Sequence, residues 1–257
     1  IRETGQIPLW SNTILSGFPL AANPLASLFY PPQWLAWLLP LPFGLNLLAI
    51  VHIVIGGVGM YLLMRQEGMD RPAALVGAVA FEAMPKLSTH WAAGHLTLVY
   101  AVAWTPWLLL AERKSRQGGI FWRLLPGAAL GGIALADPRW LIPAGLVWMG
   151  YRFLAEKWPG WKATVIKVGW SAACAVLAVG LSAGLLLPLL EYSGLSTRSS
   201  MGKEDVLSYS LPPERLLGLL MPDSGSSVEG VVYPGVLALA GVLFALWLPA
   251  ARRKSAF

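Results

Sequence analysis

The chain has 257 residues, 56% apolar and only 12% charged, with a mean hydropathy of +0.60. That composition speaks against a water-soluble domain, in which about 25% of residues are charged. The net charge of +6 does not indicate nucleic acid, because the basic residues flank apolar segments, where orientation in a membrane accounts for them. Cys174 is the only cysteine and lies within an apolar run, which excludes a disulfide framework and a cysteine metal site.

The chain begins at Ile1 without a signal peptide and reads as a piece of a longer protein. Residues 5–33 carry no charged side chain, yet Pro8, Pro19, Pro24, Pro31 and Pro32 interrupt them too often for a long helix. Asn12, Asn23, Ser11, Ser16 and Gly17 supply turn chemistry. Trp10, Phe29, Tyr30 and Trp34 supply the aromatic coat expected at the headgroup level of a bilayer. An ordered outer loop over residues 1–43 is expected, with short helical pieces around 24–29 and 32–39.

A bundle over residues 44–191 follows. Residues 45–64 are uncharged and long enough to cross a hydrocarbon core of about 30 Å. His52 interrupts them, and neutral imidazole bonded across helices is the preferred reading of it. Residues 72–84 are apolar but short and carry Glu82, which can pair with Lys86 one turn on. Residues 90–111 read as one full-length span. Two short runs, 124–136 and 140–154, are joined by Asp137-Pro138-Arg139. Residues 168–190 form another full span, 192–233 a second outer loop with an apolar patch at 215–221, and 234–257 a last span with a basic tail. The pairs Gly127/Gly131 and Gly180/Gly184, and the cluster Gly56, Gly57 and Gly59, are at spacings that let helices approach closely.

The expected fold is thus all-α: a polytopic transmembrane bundle of about seven segments, with two long outer loops carrying short helices. One orientation satisfies every loop. With 65–71 in the cytoplasm, the inside holds thirteen of the nineteen Lys and Arg, including the tail, while nine of thirteen Asp and Glu lie at the outer end. The shortest segments can also be re-entrant, where protein covers their backbone.

The candidate chemistry faces one side. Asp137 and Glu191 stand at the outer mouth, where a carboxylate can act as general base or hold a divalent cation. Asp137 before Pro138 is equally a helix-corner cap, and Glu191 equally a marker of the water boundary. Arg139 and Arg198 can clamp a phosphate with paired donors. His90 and His95 are five apart, not the three or four that stack two ligands on one helix face, so hydrogen bonding by His95 to substrate or a neighbouring loop is expected rather than a metal pair. Asn12 and Asn23 are further substrate-binding candidates. There is no Gly-rich phosphate loop, HExxH or nucleophile elbow.

Five pieces, in order, resemble the YfhO-type bacterial membrane proteins: GQIPLWSNTILSGFPLAANPLASLFYPPQWL, GGVGMYLLMRQEGMDRPAALVGAVAF, GHLTLVYAVAWTPWLLLAER, LLLPLLEYSGLSTRSS and LLGLLMPDSG…YPGVLALAGVLFAL. The resemblance covers nearly the whole chain. It implies a GT-C-like fold in the bacterial inner membrane and transfer of a sugar from a polyprenyl-phosphate donor on the extracytoplasmic face. It also implies a catalytic Asp in the first outer loop, close after the first membrane helix. Both are expected ahead of Ile1, and Glu3 does not replace that Asp. The alternative is a non-catalytic scaffold or accessory subunit, with partner subunits in a larger membrane complex. A transporter is disfavoured, because the polar groups gather at one surface rather than at the midplane.

Overall fold

The computed structural model describes residues 5, 7–14, 16–154, 160–207, 210–222 and 231–247, with Arg198, Val206 and Ala245 described in the backbone only. Glu3 and the basic tail at Arg252–Lys254 lie outside these residues. All regular elements among the described residues are helices: α1 Pro31–Ala36, α2 Leu41–Gln66, α3 Arg71–Glu82, α4 Pro85–Ala92, α5 Leu96–Ala103, α6 Thr105–Ser115, α7 Ile120–Ala136, α8 Leu141–Leu154, α9 Trp161–Leu195, α10 Lys203–Leu207 and α11 Val236–Trp247. Short 3₁₀ turns decorate both long connections. Two helices, α2 with 26 residues and α9 with 35, are long and apolar enough to cross a membrane, and α7 is a shorter apolar helix.

Local chemistry sets the ends of these elements. Asp70 caps α3 by accepting from the Ala73 amide at 2.9 Å, and Pro72 fits the first turn, where its missing N–H is not needed. Residues 90–111 are not one continuous span. Gly94, at φ +76°, separates α4 from α5. Trp104 then ends α5 and starts α6, because Pro106 cannot donate to the helical ladder behind it.

The most extensive contact is between α7 and α9, while α2 packs on α3, α5 and α6. Glycine makes the first of these possible: a Cβ on Gly127 would lie 2.8 Å from the Cys174 Cα, and one on Gly131 would lie 3.0 Å from the Leu181 side chain. On α2, Gly56 faces Phe81, Gly57 the Glu82 carboxyl and Gly59 the Trp107 indole. Gly184 meets Phe29 of the outer loop rather than a helix, and Gly180 has no neighbour within 4 Å among the described residues. The core joins Leu48 and Ala49, Tyr100, Leu108, Leu130, Ile133, Trp148 and Cys174. Long apolar faces of α2 and α9 point outward, including Val51, Val54, Val58, Val176, Val179 and Leu187.

Residues 5–33 are seated on this bundle. An antiparallel bridge closes the turn between Ser11 and Phe18, and the Leu20–Ala22 turn packs on α9. Tyr30 is the anchor. Its hydroxyl meets His52 Nε2 at 2.6 Å and accepts from Trp104 Nε1 at 2.7 Å, while His52 Nδ1 lies 2.8 Å from the Leu48 carbonyl. A carbonyl only accepts, so Nδ1 carries the proton and Nε2 accepts from tyrosine. Burial holds the Tyr30 phenol well above its ordinary range, so it remains a donor. His52 is therefore hydrogen-bonded to the outer loop and to its own helix, rather than across to a neighbouring membrane helix as expected. Tyr30→Phe leaves both partners buried and unanswered and is expected to cost about 1–3 kcal/mol. Hydrogen exchange should then quicken across 20–36 and change little in α7 and α9.

Candidate functional site

Pro138 forces the residue before it out of the helical region, so α7 stops at Ala136 and Asp137 is extended, at φ −158° and ψ 108°. The Asp137 side chain turns back and caps the 3₁₀ turn Pro138–Trp140. It is fully buried. Oδ1 accepts from the Arg139 amide at 3.0 Å and from Arg139 Nε at 2.9 Å; Oδ2 accepts from Arg139 Nη2 at 2.6 Å and from Thr97 Oγ1 at 2.8 Å. Four donors thus occupy the carboxylate, two of them from one guanidinium in a bidentate pair. This is the helix-corner geometry. The pair nevertheless reaches the surface, because the Arg139 side chain is 49% exposed.

Thr97 belongs to the first turn of α5, and His95 occupies the N-cap position of that helix without a side-chain capping bond. His90 lies in the last turn of α4, and its Nδ1 is 3.0 Å from His95 Nδ1. The turn at Gly94 brings the two imidazoles together, which five-residue spacing on one continuous helix would not do. Trp140 donates from Nε1 to Thr105 Oγ1 at 2.8 Å and packs on the buried Leu87, Val99 and Val102 cluster, fixing the corner against α4 and α5. Arg139, Asp137 and Thr97 are therefore joined directly, and His95 stands two residues before Thr97 with its ring against His90.

The remaining candidates stand apart from it. Glu191 is exposed near the end of α9, beside Tyr192, whose ring meets Phe18 edge-on at 5.8 Å. No hydrogen bond or ion pair links Glu191 to Asp137 among the described residues. Asn23 Oδ1 accepts from the Leu25 amide at 3.0 Å and caps the Pro24–Ala26 turn, so its carbonyl has a structural task. Asn12 is exposed in the loop closed by Ser11 and Phe18. Arg198 lies in the Thr197–Ser200 turn, with its side chain outside the description. Among the described residues no group of three His, Cys, Asp or Glu could hold a metal ion.

Sequence reasoning missed two features. Thr97 lies 40 residues from Asp137, and only the packing of α5 against the corner brings it there. At the other end of the bundle, Glu112 of α6 forms a buried pair with Arg152 of α8 at 2.5 Å and accepts from Trp148 Nε1 at 2.8 Å. The spacing of four between Trp148 and Arg152, which puts both on one face of α8, was the available signal. No family model, curated protein or solved structure matches the chain.

Proposed function

We propose that this chain is the membrane bundle of a GT-C-like glycosyltransferase that engages a polyprenyl-phosphate sugar at the extracytoplasmic face of a bacterial inner membrane. In this reading α2, α3, the α5–α6 pair, α7, α8, α9 and α11 cross in alternation, with the Arg65–Arg71 connection inside. The observation that carries it is the half-exposed Arg139 side chain, its guanidinium held by a buried carboxylate. A guanidinium oriented in advance suits a phosphate, whose oxygens match its planar fork. As the sugar–phosphate bond breaks, charge grows on the leaving phosphate and Arg139 stabilises it. The acceptor hydroxyl oxygen bonds to the sugar carbon and releases its proton to an outer-loop carboxylate, which the resemblance places ahead of Ile1. Asp137, its oxygens occupied, is a positioning residue in this scheme, and exposed Glu191 is the secondary candidate for the base.

Arg139→Ala in the full-length protein is expected to lower sugar transfer about 10²-fold, and Arg139→Lys to recover only part of it. Unchanged transfer in Arg139→Ala removes Arg139 from the site. Donor binding without transfer in the unaltered full-length protein favours the scaffold reading instead.

A further inference from the structure

Trp104, Trp107 and Lys114 fall three and seven residues apart along α6, and Ala128 and Gly132, with Ala129 beside them, fall four apart along α7. Each spacing puts its residues on one face of the helix. The two faces are mismatched in size. Bulky indoles stand on the first, while alanine and glycine put almost nothing on the second. The helices cannot close over that difference, and a groove of about 320 Å³ remains between them. A Cβ at Gly132 would meet no neighbouring atom within 4 Å among the described residues, so the α7 wall is open there. Ala128 is exposed, and both indoles are half-buried.

The groove is apolar except at one end. Trp104 Nε1 already donates to the Tyr30 hydroxyl, and Trp107 Nε1 to the Ile55 carbonyl at 2.9 Å. The indoles therefore offer ring surface to the groove rather than donors. Among the described residues that line it, only Lys114 carries a charge. Lys114 stands in the last turn of α6, and its ammonium lies 5.4 Å from the centroid of the Trp122 ring in the first turn of α7. An indole beside a lysine whose stem follows apolar surface is the pattern of a bilayer boundary. Ten residues of helix separate Trp104 from Lys114, about 15 Å, roughly half the thickness of a hydrocarbon core.

We propose that this groove holds one acyl chain of an anionic glycerophospholipid from the cytoplasmic leaflet, with the headgroup phosphate against Lys114. A helix is about 10 Å across and does not fit a groove of this volume, whereas a single chain of methylenes does. Such a chain restores dispersion contacts that the small residues of α7 leave unmade. The basic end selects an acidic headgroup, and half a core is the depth of one leaflet. The inference rests on the membrane orientation proposed above and not on sugar transfer, so the outcome of the Arg139 variants leaves it standing.

The full chain in detergent is titrated with dioleoyl phosphatidylglycerol, dioleoyl phosphatidylcholine and dihexanoyl phosphatidylglycerol, and bound lipid is counted by native mass spectrometry. Dioleoyl phosphatidylglycerol should fill a first site about 5-fold more tightly than dioleoyl phosphatidylcholine, and the dihexanoyl lipid should fill it far more weakly than either. Lys114→Gln should erase the preference for phosphatidylglycerol and leave phosphatidylcholine binding unchanged. Gly132→Leu projects into open space and should melt near the unaltered protein, yet bind both dioleoyl lipids about 10-fold more weakly, the equivalent of about ten lost van der Waals contacts. Should that variant not fold, Ala128→Leu, at an exposed position of the same wall, takes its place with the same expected loss. Equal binding of dihexanoyl and dioleoyl phosphatidylglycerol overturns the proposal, as does a headgroup preference that survives Lys114→Gln or a groove variant that binds like the unaltered protein. A dimer in the lipid-free protein that Gly132→Leu dissolves also overturns it and gives the groove to a second copy of this chain.

Discussion

Glu112→Ala is expected to destabilise the protein by about 3–5 kcal/mol, among the largest losses from any single side chain here. The Glu112 carboxylate is 4% exposed and the Arg152 guanidinium 7%, and their 2.5 Å contact ties α6 to α8. Removing the acid leaves a positive charge in a poorly solvated site and also strips the Trp148 indole of its acceptor. The loss measures the stranded charge more than the net worth of the pair, because bringing both ions out of water was itself costly. Replacing both partners distinguishes the two: Glu112→Leu with Arg152→Met should recover most of the stability. Thermal unfolding in detergent, followed by circular dichroism, measures it. A single-variant loss below about 1 kcal/mol, the range of an exposed pair, would mean that water reaches these side chains.

Gly127→Val should cost about 3 kcal/mol and open the α7–α9 interface. A Cβ at Gly127 would stand 2.7 Å from the Cys174 carbonyl oxygen and 2.8 Å from its Cα. Those are backbone atoms of a helix and cannot rotate aside. Gly131→Val should cost less, since its nearest contacts, at 3.0 Å, are the Leu181 Cβ and Cδ1 rather than backbone atoms; Cδ1 can rotate away, and Cβ needs to give by only a few tenths of an ångström. Gly132→Val is the control, because no atom lies within 4 Å of that position among the described residues. Melting temperatures should fall in the order Gly127, Gly131, Gly132, and the Cys174 thiol, buried in the unaltered protein, should react faster with maleimide in the first variant. Equal effects at Gly127 and Gly132 would contradict the close approach.

Much of the helical layout was legible. The uncharged run 45–64 became Leu41–Gln66, and 168–190 became Trp161–Leu195, because apolar length and flanking charges are written locally. The prolines and aromatics of 5–33 correctly marked an ordered loop with short helical pieces. The run 90–111 misled: hydropathy averages over Gly94 and Pro106, whereas the backbone breaks at each. The Asp137–Arg139 corner was readable because its partners are two residues apart. Tyr30 with His52 and Trp104 was not, since those partners lie 22 and 74 residues away.

The sequence alone determined that this chain is helical, that the uncharged runs 45–64 and 168–190 are long enough to cross a membrane, and that Asp137 caps a helix corner. Each of these depends on residues within a turn or two, or on the total apolar length of a run. Only the tertiary structure decided which polar groups meet: Thr97 with Asp137, Tyr30 with His52, and Glu112 with Arg152. Those meetings depend on the rotation and depth of each helix against its neighbours. Close packing of large and small side chains sets both, and no single segment contains that information.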